Sequence, residues 1–160
     1  MENHRASGKA LPHLMGKTVH HPIWLYASIV FIFIIDRVLK YAAQLYFENK
    51  APLTVIPDYL QLTFIYNDGI AFGLLAGYGT VLTLIVCLIL VACVLIFRLL
   101  PNKYAIPLGV VIGGGLGNIY DRLIYGAVID YISVPFFSVF NFADAAIFLG
   151  ILWTLWRLRK

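Results

Sequence analysis

From Gly79 to Phe97 the chain runs without one charged side chain. That is close to the roughly 20 apolar residues a helix needs to cross the hydrocarbon core of a bilayer. Three further apolar stretches stand near Ile23–Tyr46, Tyr104–Tyr120 and Phe142–Trp156, and the Gly79 run itself extends to Leu100. In hydrocarbon every backbone N–H and C=O must find its partner within the protein, so such stretches form helices. The fold expected is an α-helical integral membrane protein with four transmembrane helices. Composition agrees: 61% of residues are hydrophobic, 12% are charged and the mean hydropathy is +0.86. A soluble domain carries about 25% charged residues.

The net charge of +4 reads as topology. Arg5, Lys9 and Lys17 precede the first stretch, Arg98 and Lys103 bracket the turn after the second, and Arg157, Arg159 and Lys160 follow the last. Basic residues gather on the cytoplasmic side of membrane proteins, so both termini are expected in the cytoplasm and nucleic acid is not expected as a partner. Residues 1–22 read as a cytoplasmic N-terminal extension. They hold all four histidines, His4, His13, His20 and His21, to which no chemistry is assigned. No small-residue cleavage site follows the first apolar run, which therefore reads as a retained helix rather than a signal peptide. Cys87 and Cys93 lie within the second stretch and read as small packing residues.

The one sizeable polar region runs from about residue 47 to 78. Tyr59–Tyr66 alternates as a half-buried strand does, and Asn67-Asp68-Gly69 supplies turn chemistry. A small extracytoplasmic β-sheet is expected here, with Leu53–Ile56 as a possible second strand. The third apolar stretch is rich in glycine. The spacings Gly109/Gly113 and Gly113/Gly117 let membrane helices approach closely, and no lysine or strand context supports a phosphate-binding loop.

Carboxylates in or beside apolar stretches are costly, roughly 2.5–3.5 kcal/mol on insertion scales, and mark functional candidates. Asp36 and Lys40 are four residues apart and can pair on one helical face. Asn118, Asp121 and Arg122 close the third stretch, and Arg122 is placed to neutralise Asp121 or a carboxylate nearby. Asp130 has no basic neighbour closer than Arg122. The uncharged run after it leads to Asn141 and Asp144, which share a face if a helix begins near Asn141. Asp130 and Asp144 should meet near the outer interface. Two carboxylates in reach of each other hold one proton between them, so one can deprotonate water while the other protonates a carbonyl. No histidine lies in the membrane region for a serine or cysteine mechanism, and no His/Cys cluster suits zinc. On residues alone three readings stay open: a hydrolase using the Asp pair, a proton-coupled transporter using carboxylates as a relay, and a scaffold whose ionic groups lock helices together.

Five motifs narrow this: Asp36-Arg37-Val38-Leu39-Lys40, Asn67-Asp68-Gly69-Ile70-Ala71-Phe72-Gly73, Gly117-Asn118-Ile119-Tyr120-Asp121-Arg122, Val128-Ile129-Asp130-Tyr131 and Phe140-Asn141-Phe142-Ala143-Asp144. In this order, between about Ile23 and Trp156, they resemble the lipoprotein signal peptidases (signal peptidase II), the membrane aspartic peptidases of bacteria. The resemblance implies that Asp130 and Asp144 are the catalytic dyad. Asn67, Asn118, Asp121, Arg122, Asn141 and Asp36 would be its supporting or substrate-binding residues, and residues 23–160 one four-span peptidase domain. It implies removal of the signal peptide from a prolipoprotein, immediately before a diacylglyceryl-modified cysteine. No cofactor or metal is expected, and membrane lipids and the lipid-modified precursor are the expected partners. A monomer in the bacterial inner membrane is the expected state.

Overall fold

The computed structural model describes residues 23–69, 78–97 and 100–159. The expected N-terminal extension, the basic residues before Ile23, Arg98, Lys160 and the Ile70–Gly73 part of the second motif lie outside these described residues. The order of elements is α1 (Ile23–Phe47), β1 (Leu53–Ile56), β2 (Leu60–Asn67), α2 (Gly79–Phe97), a 3-10 turn (Asn102–Tyr104), α3 (Ala105–Tyr125), β3 (Val128–Ser133) and α4 (Phe142–Leu158). The four helices start where the four apolar stretches start, to within a residue. Helix α3 runs five residues past its expected end, because nothing breaks it before Gly126. That glycine has φ +75° and donates its N–H to the Arg122 carbonyl, a left-handed C-cap that other residues adopt only at a cost.

Helix α3 is the hub, packed against each of the other three helices. Successive helical residues point about 100° apart, and Gly113, Gly114 and Gly115 use this to face three different neighbours. A Cβ at Gly113 would lie 2.8 Å from the Ile29 carbonyl oxygen and 2.9 Å from Ile32 Cβ, both on α1. One at Gly114 would lie 2.7 Å from the Ala143 carbonyl oxygen on α4, and one at Gly115 would meet the Leu90 side chain of α2. Each glycine in a helix interior costs about 1 kcal/mol against alanine; here that cost is offset by backbones packing at a distance no side chain would allow.

Large apolar side chains are exposed along the outer faces of all four helices: Val30, Phe31 and Ile34 on α1, Leu84 and Leu88 on α2, Leu123 on α3, Phe148 and Leu152 on α4. Among the described residues one helix, Gly79–Phe97, is long and apolar enough to cross a membrane by length and composition alone, with mean hydropathy 3.2. The other three each carry charged residues inward.

The sheet is antiparallel, in the order β1-β2-β3. Strand β1 has the expected bounds and β2 lies one residue further on than expected. Strand β3 was not among the strands expected. Its first four residues are buried, so it lacks the alternation that marks a half-exposed strand. Its partner β2 is two helices away in sequence, with Ile65 opposite Asp130 and Asn67 opposite Val128. Asn67 Oδ1 accepts from Gly69 N at 3.0 Å, an Asx turn that ends β2.

Two apolar clusters result. One joins Leu25, Leu90, Tyr104, Leu108 and Ile112 between helices; the other joins Ala43, Ile129 and Tyr131 where the sheet meets the bundle. Between them lies a polar layer.

Candidate active site

Among the described residues six polar or charged side chains are buried: Asp36, Lys40, Asn118, Asp121, Asp130 and Asn141. They divide into an ionic frame and a carboxylate–amide network. In the frame, Arg37 Nη2 meets Asp36 Oδ2 at 2.6 Å and Arg37 Nη1 meets Asp121 Oδ1 at 2.6 Å. Lys40 Nζ is 3.2 Å from Asp36 Oδ2 and 2.7 Å from Asp121 Oδ2. Two cations and two carboxylates leave the frame neutral, the condition under which buried charge is tolerated. Asp121 Oδ2 also accepts from Ile129 N at 3.2 Å, which ties β3 to α3.

The expected Asp36–Lys40 pair is thus present, but Arg122 does not pair with Asp121. Neighbours on a helix diverge by about 100°, so Asp121 turns toward α1 while Arg122 turns away. Arg122 Nη2 donates to the Gly69 carbonyl at 3.4 Å and borders the cavity that holds Asp130 and Asp144. Asp36 reaches Asp121 through the two cations, not Asp130 or Asp144.

The second network is centred on Asn141, the N-cap of α4. Asp144 N donates to Asn141 Oδ1 at 3.0 Å and Asn141 N donates to Asp144 Oδ2 at 3.2 Å. This is a capping box, which satisfies two helix-end donors reciprocally. Asn141 Nδ2, left free by the cap, donates to Asp130 Oδ1 at 2.7 Å. Asn67 Nδ2 donates to Asp130 Oδ2 at 2.8 Å from the end of β2. Asn118 Nδ2 donates to Asp144 Oδ1 at 2.7 Å from α3. Both carboxylates are therefore held by amides from three separate elements, and both border one cavity of about 270 Å³. Asn67, Gly69, Asn118, Arg122, Val128 and the Phe137–Phe140 segment form the rest of its wall.

Asp130, on a strand outside the helices, is 3% exposed. Burial pushes its carboxyl up to about 6; the Asn67 hydrogen bond opposes this and the nearby Asp144 charge adds to it. An acid poised near neutrality beside a second carboxylate is suited to moving protons. The residue the sequence reading left out of the site is Lys40. It donates to Asn118 Oδ1 at 2.8 Å and so joins the frame to the network. Its i,i+4 spacing to Asp36 was the available signal, and that spacing alone names only one of its three partners.

The signal peptidase II family pattern matches residues 28–159. The chain belongs to the signal peptidase II family. Lipoprotein signal peptidases from Desulfitobacterium hafniense and Moorella thermoacetica are similar to it. The first is 40% identical over 135 residues, covering 81% of this chain and 87% of the relative. The second is 35% identical over 127 residues, covering 78% and 85%. Two solved structures of bacterial membrane enzymes, each 28% identical, superpose with TM-scores of 0.76 and 0.77. They cover 88% and 91% of this chain and 90% and 99% of their own. The fold is thus that of a membrane enzyme, and the signal peptidase II family is one of proteases. Every residue bordering the 270 Å³ cavity falls within the matched span.

Proposed function

We propose that this protein is a membrane aspartic endopeptidase. It removes the signal peptide from a lipid-modified prolipoprotein and cleaves before the diacylglyceryl-modified cysteine, with Asp130 and Asp144 as the catalytic pair. The observation that carries this reading is Asn141, which donates its side-chain amide to Asp130 and its backbone amide to Asp144 while both carboxylates open on one cavity.

In the reaction, one ionised carboxylate takes a proton from water as the water oxygen bonds to the scissile carbonyl carbon. The other carboxyl gives its proton to the carbonyl oxygen. Collapse of the resulting diol breaks the C–N bond. The dyad protonates the departing nitrogen and recovers a proton from the diol, so it leaves the cycle with the single proton it began with. Asn67, Asn118 and Asn141 hold the two carboxyls in register, and Arg122 faces the cavity as a donor for a substrate carbonyl.

All four helices span the bacterial inner membrane in this reading, with the sheet on the outer face and both termini in the cytoplasm. The apolar side chains exposed along each helix support it, since an apolar surface this extensive is not stable in water. The protein acts as a monomer, and its substrate enters laterally from the bilayer. The test is incubation of purified protein with a lipidated precursor and with its unlipidated counterpart, read by product mass. Cleavage of the lipidated form before its cysteine is expected, with none by the folded Asp130→Asn and Asp144→Asn proteins. Substantial turnover by either variant would remove the dyad.

A further inference from the structure

Lys40 is 1% exposed and lies on α1, one helix away from the carboxylates of the cavity. An ammonium has three N–H donors and no lone pair. Each donor here has one acceptor: Asp121 Oδ2 at 2.7 Å, Asn118 Oδ1 at 2.8 Å and Asp36 Oδ2 at 3.2 Å. The Asn118 acceptor matters because a carboxamide has two unlike ends. An atom facing a lysine must be an oxygen, so Lys40 decides which way the Asn118 amide points.

The choice then propagates. With Oδ1 on Lys40, Asn118 turns Nδ2 to Asp144 Oδ1 at 2.7 Å. The second lone pair of Asn118 Oδ1 accepts from Asn141 Nδ2 at 3.2 Å. Asn141 thereby presents Nδ2 to Asp130 Oδ1 at 2.7 Å and keeps its own Oδ1 for the helix cap. With Asn67 on Asp130 Oδ2 and Asn141 N on Asp144 Oδ2, all four oxygens of the pair receive an amide hydrogen. A flipped Asn118 would instead set an oxygen against Asp144 and an N–H against Lys40, two repulsive contacts in a buried site.

We infer that Lys40 is a positioning residue of the reaction: through Asn118 and Asn141 it orients the hydrogen bonds on both carboxylates, so that the shared proton occupies the lone pairs facing the cavity. This rests on the peptidase reading above. The test is steady-state kinetics on the lipidated precursor for wild type, Lys40→Met and the double variant Lys40→Met/Asp36→Asn, in which the frame stays neutral. Removal of Lys40 is expected to lower kcat about 10- to 100-fold, as loss of an outer partner that orients a reacting group commonly does, with KM changed less than about twofold.

The alkaline limb of the pH profile gives a second readout. Asp130 faces Asp144 from α4, Arg122 from α3 and Lys40 from α1, with the neutral Asn67 and Asn141 as its bonded partners. Removing the positive charge of Lys40 moves that limb to higher pH. No cleavage by wild type would overturn the peptidase reading and this role together. Cleavage by wild type with wild-type kcat and pH limb in a folded variant would overturn the Lys40 role alone. So would a loss confined to KM, or failure of both variants to fold.

Discussion

Asn141 and Asp144 hold each other twice, through Asp144 N to Asn141 Oδ1 at 3.0 Å and Asn141 N to Asp144 Oδ2 at 3.2 Å. The same asparagine donates its Nδ2 hydrogens to Asp130 and to Asn118 Oδ1. One side chain therefore starts a helix and spaces a pair of carboxylates, two tasks that substitution can separate. Serine is as good an N-cap as asparagine but has no Nδ2. Asn141→Ser is expected to keep the α4 cap and lose the Asp130 contact. Its melting temperature in detergent should fall by only a few degrees, while kcat on the lipidated precursor falls by about tenfold or more. Equal loss of both would mean that Asn141 serves the helix alone.

Asn67 should tune the acid. Its Nδ2–H at 2.8 Å favours the ionised form of Asp130 and so works against the rise caused by burial. With the dyad active while it holds one proton, kcat/KM should decline as pH rises past the Asp130 value of about 6. Asn67→Ala removes a donor to the charged form, so Asp130 keeps its proton to higher pH and the decline moves upward. A pH series of kcat/KM for the two proteins checks this; a limb that stays still or moves down would contradict it.

The same group makes stability depend on pH, with a sign opposite to that of a salt-bridged aspartate. The Asp130 carboxyl has an ordinary value of 3.8 and a folded value of about 6. Between these the folded state binds more protons than the unfolded, so stability falls as pH rises through the window. Linkage puts the loss on the order of 3 kcal/mol by pH 7. Asp130→Asn cannot ionise. Its melting temperature should exceed that of wild type at pH 7, and the difference should shrink as pH approaches 4. Detergent melts of both proteins at intervals across that range measure it.

The helices and the β1–β2 hairpin were legible because apolar runs and a turn motif are local signals, and Leu53–Ile56 was bounded without error. Strand β3 was not, because its pairing to β2 bridges two intervening helices and its buried face hides the period. The carboxylates were legible as anomalies in an apolar chain. Their partners were only partly so: Arg122 follows Asp121 in sequence, yet helical rotation sends one to the cavity and the other to α1. Lys40 was read through its nearest partner, Asp36, since contacts to Asn118 and Asp121 exist only once α1 and α3 have packed.

That packing can be tested at two glycines of α3, Gly113 and Gly115. A Cβ at Gly113 would meet a carbonyl oxygen and a Cβ of α1, both fixed by the backbone, at 2.8 and 2.9 Å. A Cβ at Gly115 would meet the methyl groups of Leu90 at 2.8 and 3.0 Å, the movable end of a side chain on a peripheral helix. Alanine gains helix propensity at either position, about 1 kcal/mol, but at Gly113 it must push α1 away. Gly113→Ala is therefore expected to destabilise by about 1–3 kcal/mol and to lower activity, because α1 carries Lys40 to Asn118. Gly115→Ala should be near neutral in both. Thermal melts and kcat for the two variants, measured side by side, decide it: equal effects would mean that the α1–α3 approach does not set the geometry of the polar layer.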